Sequence, residues 1–262
     1  MSRVRVAIVG ASGRMGRAIV RLARETDNVE IVSAIAATDV GADVGELAGI
    51  GRTGVVVAKD VANIVDARAD VAIDFSGPAA TVALAGVAER AGFAIVSGTT
   101  GLDDAARAAL DRAATRVPVL WEANMSAGVH ALADLVRRAV VALGPAFDIE
   151  IVESHHRLKV DAPSGTALLL ADAAREARAS STLVHGREGC PGARTATEIG
   201  MHAVRGGDVI GDHAVHFLGN GERVELTHRA TNRDVFAHGA LRVAAWIAGK
   251  PAGRYRMLDV LR

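Results

Sequence analysis

Short runs of Val and Ile alternate with Ala-rich segments through the first 125 residues, and this alternation constrains the fold more than any other feature. Runs at residues 4–9, 29–36, 55–57, 71–75, 93–96 and 117–121 are rich in Val and Ile, as strands buried on both faces are. Between them, residues 14–24, 78–90 and 103–114 space their apolar side chains as helices do, and Pro78 suits a first helical turn, where a missing N–H costs nothing. Strand–helix repetition of this kind predicts an α/β fold with a Rossmann-like, doubly wound parallel sheet. The glycine-rich stretch 41–54 interrupts the rhythm and is long enough to be a mobile flap over a ligand.

Beyond Trp121 the pattern changes. A long amphipathic helix at 126–143 precedes a strand at 148–155, a polar loop and a second helix at about 165–179. Three strand-like runs follow without helices between them, at 198–204, 208–217 and 223–227. Their turn-like connections, 205–207 and 219–222, predict antiparallel pairing. This is an α+β domain with a mixed open sheet. The last helix, 234–247, is expected to return to the first domain. The division is therefore 1–125 with 233–262 as one domain, and 126–232 as the other.

Composition narrows the function. The formal net charge is zero, so no global field favours nucleic acid or an anionic membrane, and an anionic ligand must be met by local donors. The one cysteine, Cys190, has no partner for an intrachain disulfide or a cysteine metal site. The first residues do not read as a secretory signal, and no apolar stretch reaches membrane-spanning length. A soluble cytoplasmic protein is the expectation.

The first strand runs straight into Gly10-Ala11-Ser12-Gly13-Arg14-Met15-Gly16 and then a helix. Glycines at this spacing, in a strand–turn–helix context, allow a tight turn and let a pyrophosphate approach backbone N–H groups at a helix start. The residues predict a nicotinamide dinucleotide. An acid that would bind ribose hydroxyls is expected about twenty residues on, at the end of the second strand. The chain has Ala36 there, with Asp39 the nearest acid, so NADH and NADPH both stay open. Arg14 and Arg17 are candidates to reach a 2′-phosphate.

The second constellation spans residues 153–167, where two histidines, an arginine, a lysine and a helix start fall together. Ser164 is a good N-cap, and Gly165 and Thr166 then offer backbone and hydroxyl donors to a substrate carboxylate. His155 and Lys159 are candidate proton donors for a hydride acceptor. Adjacent histidines on a strand point to opposite faces and no clustered carboxylates accompany them, which argues against a metal.

This segment resembles the signature of the 4-hydroxy-tetrahydrodipicolinate reductase family, and the likeness extends along essentially the whole chain. The resemblance implies a cofactor turn at Gly98, Thr99, Thr100 and Gly101, and a second cofactor-contacting stretch at Glu122, Ala123, Asn124 and Met125. Met125 stands where the family often has Phe and is expected to offer apolar surface to the nicotinamide. The resemblance also makes His155 and Lys159 the catalytic pair and gives the two substrate carboxylates to His156, the Gly165-Thr166 helix start and Arg233. It implies a dicarboxylate substrate, hinges near 122–126 and 231–233, and a homotetramer built through the second sheet. Ala36 departs from the acid common in the family. Two other readings fit the glycine loop: another two-domain NAD(P)-dependent dehydrogenase, such as an amino-acid dehydrogenase, and a non-catalytic NAD(P) sensor. A sensor needs no proton donor, so the presence of both His155 and Lys159 argues against it.

Overall fold

The computed structural model describes residues 3–262. In chain order the elements are β1 (Val4–Val9), α1 (Arg14–Ala23), β2 (Val29–Ile35), α2 (Val44–Leu47), β3 (Val57–Ala58), α3 (Asn63–Asp66), β4 (Val71–Asp74), α4 (Pro78–Ala91), β5 (Ala94–Ser97), α5 (Asp104–Ala114) and β6 (Pro118–Trp121). There follow α6 (Ala127–Leu143), β7 (Asp148–His155), α7 (Gly165–Ala177), β8 (Thr182–His185), β9 (Glu198–Arg205), β10 (Gly211–Leu218) and β11 (Arg223–Ala230). The chain ends with α8 (Asp234–Ile247), β12 (Gly253–Tyr255) and α9 (Met257–Leu261). It divides into two compact units, one running to Ser126 and resuming at Asp234, the other Ala127–Arg233.

In the first unit seven strands lie in the order β12-β6-β5-β4-β1-β2-β3, every pair parallel. From Val6 onward β1 is apolar and buried, and its packing shows why. Val6 and Ile8 pack into one core with α1 and α8, while Ala7 and Val9 pack into another with α4 and α5. A parallel strand covered on both faces favours apolar side chains at successive positions. Strand order reverses between β1 and β4, and ligands of open α/β sheets bind at such a switch point.

The glycine-rich stretch 41–54 is a loop tied to itself around one carboxylate. Asp43 is buried and accepts from Gly45 N at 2.8 Å, Gly54 N at 2.7 Å, and Thr53 N and Oγ1 at 3.0 Å. Burial alone would raise its carboxyl, but these donors hold it well below the usual carboxylate range. Val44, Leu47 and Ile50 then pack into the core shared with α1.

The second unit holds a mixed sheet in the order β11-β10-β7-β9-β8. Ile149, Ile151, Ile199, Met201, Val215 and Phe217 face α6 and α7 to form its core. β10 and β11 pair antiparallel as expected, but β9 and β10 do not pair at all. β7 lies between them, parallel to β9 and antiparallel to β10. The connection 206–210 therefore crosses the end of β7 instead of forming a hairpin turn. Gly206 N donates to His155 O at 3.0 Å and His156 N donates to Val209 O at 2.7 Å. Among the described residues no helix is long and apolar enough to cross a membrane.

Candidate active site

Each unit carries one set of the residues singled out in the sequence. In the first, a cleft of about 610 Å³ opens at the switch point, bordered by Gly10, Gly13, Ala36, Lys59, Phe75 and Pro78 among others. Gly10 has a φ of +85°, and an added Cβ would strike the Phe75 carbonyl; at Gly16 it would strike the Gly10 carbonyl. α1 starts from Gly13 without a side-chain cap, so its first N–H groups are left for an anion. These features fit a dinucleotide pyrophosphate. Ala11 N and Ser12 Oγ are already spent, on Ile35 O at 3.0 Å and Thr38 O at 2.9 Å. Arg17 is also committed: its Nε donates to Ser12 O at 2.9 Å and its Nη2 lies 3.5 Å from Asp39. Arg14 is exposed.

A smaller recess of about 210 Å³ joins the glycine loop to the turn after β5, lined by Gly13, Arg14, Met15, Phe75, Ser76, Gly98, Thr99 and Thr100. Its two far walls are tied by Asp74, a fully buried carboxylate that the sequence reading passed over as strand. Asp74 accepts from the hydroxyls of Ser76, Thr81 (2.7 Å), Ser97 (2.9 Å) and Thr99 (3.0 Å). Gly98 has no room for a Cβ because the Phe75 ring lies against it. Neither recess is lined by Glu122, Ala123, Asn124 or Met125. Met125 is 1% exposed and its side chain sits in the core with α8. Glu122 accepts from Met257 N at 3.3 Å, and Asn124 from Ser126 N at 2.8 Å.

In the second unit β7 buries alternate side chains, but after Ile149 and Ile151 the next two inward positions are Glu153 and His155. Glu153 receives His155 Nδ1 at 2.6 Å, the fork of Arg205 at 2.7 and 2.8 Å, and Ser164 N at 3.1 Å. Burial would raise this carboxyl; Arg205, His155 and the Ser164 N–H together bring it below its ordinary value. The carboxylate accepts a hydrogen bond from the Nδ1–H of His155, so in the neutral ring Nε2 is the free acceptor. Burial lowers His155 against the opposing pull of Glu153. His213 lies edge-on to it at 5.1 Å, with Nε2 3.0 Å from Ser164 Oγ, and burial followed by the nearby His155 pushes it down to about 4.

The loop from His156 returns to Ser164 and is pinned by Arg205, which donates to Asp161 O at 2.7 Å. Lys159 is half-buried and paired with Asp161 at 2.8 Å, and this bond lowers the Asp161 carboxyl. His156 Nε2 and Arg233 Nη2 come within 3.4 Å although 77 residues separate them. Ser164 is buried and its hydroxyl caps α7 through Ala167 N at 3.2 Å while meeting His213, so it shapes the helix start and has no free hydroxyl for a ligand. Gly165 is exposed and Thr166 half-buried. Glu153, Arg205 and His213 lie in segments that carry the family resemblance, but the sequence gives them no role; the one signal for Glu153 is an acid two residues before a histidine on the buried face of a strand.

The description "dihydrodipicolinate reductase, N-terminus" matches residues 4–125, and "dihydrodipicolinate reductase, C-terminus" matches residues 128–261. The chain belongs to the dihydrodipicolinate reductase family. The 4-hydroxy-tetrahydrodipicolinate reductase of Alkalilimnicola ehrlichii is 48% identical, over 98% of each chain. That of Acinetobacter baumannii is 46% identical over 98% of this chain and 96% of its own. A dipicolinate-bound dihydrodipicolinate reductase from Paenisporosarcina shares 27% of residues and superposes with a TM-score of 0.81, over 99% of this chain and 100% of its own. At the end of β2 the chain has Ala36 where an acid that binds ribose hydroxyls is expected.

Proposed function

We propose that this protein reduces 4-hydroxy-tetrahydrodipicolinate, a cyclic dicarboxylate, to tetrahydrodipicolinate on the diaminopimelate route to lysine, with NADH or NADPH as reductant. The observation that carries the reading is the buried Glu153–His155–Arg205 network joined through Ser164 to the start of α7, in a chain that also holds a glycine-loop cleft. Identity of 48% along the whole chain supports this reaction over that of an amino-acid dehydrogenase.

Overall the substrate takes up a hydride and a proton and loses one water. The reduced nicotinamide supplies the hydride when bound, and Gly10, Gly13, Arg14, Met15, Gly16 and the Gly98-Thr99-Thr100 turn are the residues that would hold the dinucleotide. The residues of the second unit do the rest. The N–H groups of Gly165 and Thr166 at the start of α7 receive one carboxylate, and His156 with Arg233 receives the other. Lys159, released from Asp161, places its ammonium against negative charge developing on the ring and donates the proton. His155, oriented by Glu153, offers Nε2 to position that proton. The segments 122–126 and 231–233 link the two units and are the natural hinges. The open face of the second sheet suits assembly as a homotetramer, and a cytoplasmic location suits a biosynthetic enzyme.

Lys159→Ala tests the reading. Turnover should fall by about 10²–10⁴-fold, with the dissociation constant of the reduced dinucleotide unchanged. Wild-type turnover in this variant would remove Lys159 from the chemistry.

A further inference from the structure

At the adenosine end of the cleft the charge pattern is inverted from that of an NADH site. An acid at the end of β2 binds the ribose 2′-hydroxyl and repels a 2′-phosphate. Here that position is Ala36, 9% exposed and turned into the core, and Ala37 follows it. The nearest acid along the chain, Asp39, is engaged by Thr38 Oγ1 at 3.2 Å and by Arg17 at 3.5 Å, and it is absent from the cleft lining.

The neighbouring strand supplies the opposite charge. β3 pairs with β2 so that Ile35 faces Ala58, and Ala36 N donates to Ala58 O at 3.0 Å. The next residue is Lys59, which lines the cleft beside Ala36 and Ala37. Lys59 is exposed, and among the described residues it forms no ion pair or hydrogen bond. The cleft thus has an unpaired ammonium and no carboxylate where a ribose 2′ substituent would fall. We infer that Lys59, with the backbone at Ala36 and Ala37, forms a binding site for the 2′-phosphate of NADPH, making this chain selective for the phosphorylated dinucleotide. The inference rests on the reductase reading for the presence of a dinucleotide, and it adds the residue that chooses between the two.

The test is direct binding, without turnover. NADPH, NADH and adenosine 2′,5′-bisphosphate are titrated calorimetrically into the wild-type chain and into Lys59→Gln at one ionic strength, then again at higher salt. In the wild type NADPH should bind about tenfold more tightly than NADH, with the advantage shrinking as salt rises. Lys59→Gln should lose most of that advantage and weaken the bisphosphate, while NADH affinity stays within about twofold. Equal affinity of the wild type for NADH and NADPH, or equal losses for both in Lys59→Gln, would overturn the assignment. If neither dinucleotide binds the wild type, the reductase reading itself fails, which is a different result. Ala36→Asp provides a second measure: the added carboxylate should weaken NADPH and spare or strengthen NADH.

Discussion

Glu153 occupies a position where the alternation of β7 calls for an apolar side chain, and it is tolerated because every oxygen is matched. Arg205 pairs its charge, His155 donates a ring N–H hydrogen bond, and Ser164 donates a backbone N–H. A buried carboxylate lacking such partners would be strongly destabilising. Three groups on this side of the sheet, His155, His213 and His228, are all held below the ordinary histidine value by burial. His213 faces His155 and Glu153 from β7, His228 from β11 and Lys159 from the loop. Its value falls from 6.5 in the free side chain to about 4, so the unfolded chain takes up a proton that the fold refuses. That contribution is complete above about pH 6.5 and is lost as pH falls toward about 4. Thermal unfolding between about pH 6.5 and about pH 5 should therefore show stability declining on acidification, and His213→Gln should flatten the decline. An unchanged slope in the variant would mean His213 is not the group responsible.

The start of α7 is the element on which the substrate reading depends. Ser164 caps it, and the same hydroxyl meets His213. Ser164→Ala should cost about 1 kcal/mol of stability and raise the substrate KM severalfold, with the dinucleotide dissociation constant unaltered. A KM equal to that of the wild type would place the carboxylate elsewhere. Legibility at this scale followed physical rules. β7 and α8 were read to the residue, because alternation over eight positions and a helical stripe over fourteen are strong periodic signals. β8 and β12, of four and three residues at sheet edges, are too short to show a period. The β9–β10 error has a different origin, since a short connection cannot reveal that a third strand lies between its ends. The polar groups Asp74, Glu153 and Lys59 were illegible because their meaning comes from partners on other elements. For Lys59 the telling neighbour is Ala36, brought beside it only by the pairing of β2 and β3.

At the scale of the molecule, the two units divide the chemistry. The parallel sheet supplies a switch-point cleft with an uncapped helix start and tight glycines. The mixed sheet supplies an acid–imidazole–guanidinium network and a helix start capped from behind. Neither set alone makes a reductase. A chain bearing only the first would bind a dinucleotide and never oxidise it, which is the behaviour of a sensor. The deciding measurement follows the absorbance of the reduced nicotinamide while 4-hydroxy-tetrahydrodipicolinate is generated in the same cuvette with the purified protein. The reductase account predicts one reduced dinucleotide consumed per substrate, at a rate proportional to protein concentration. Tight dinucleotide binding with no substrate-dependent loss of absorbance would contradict it.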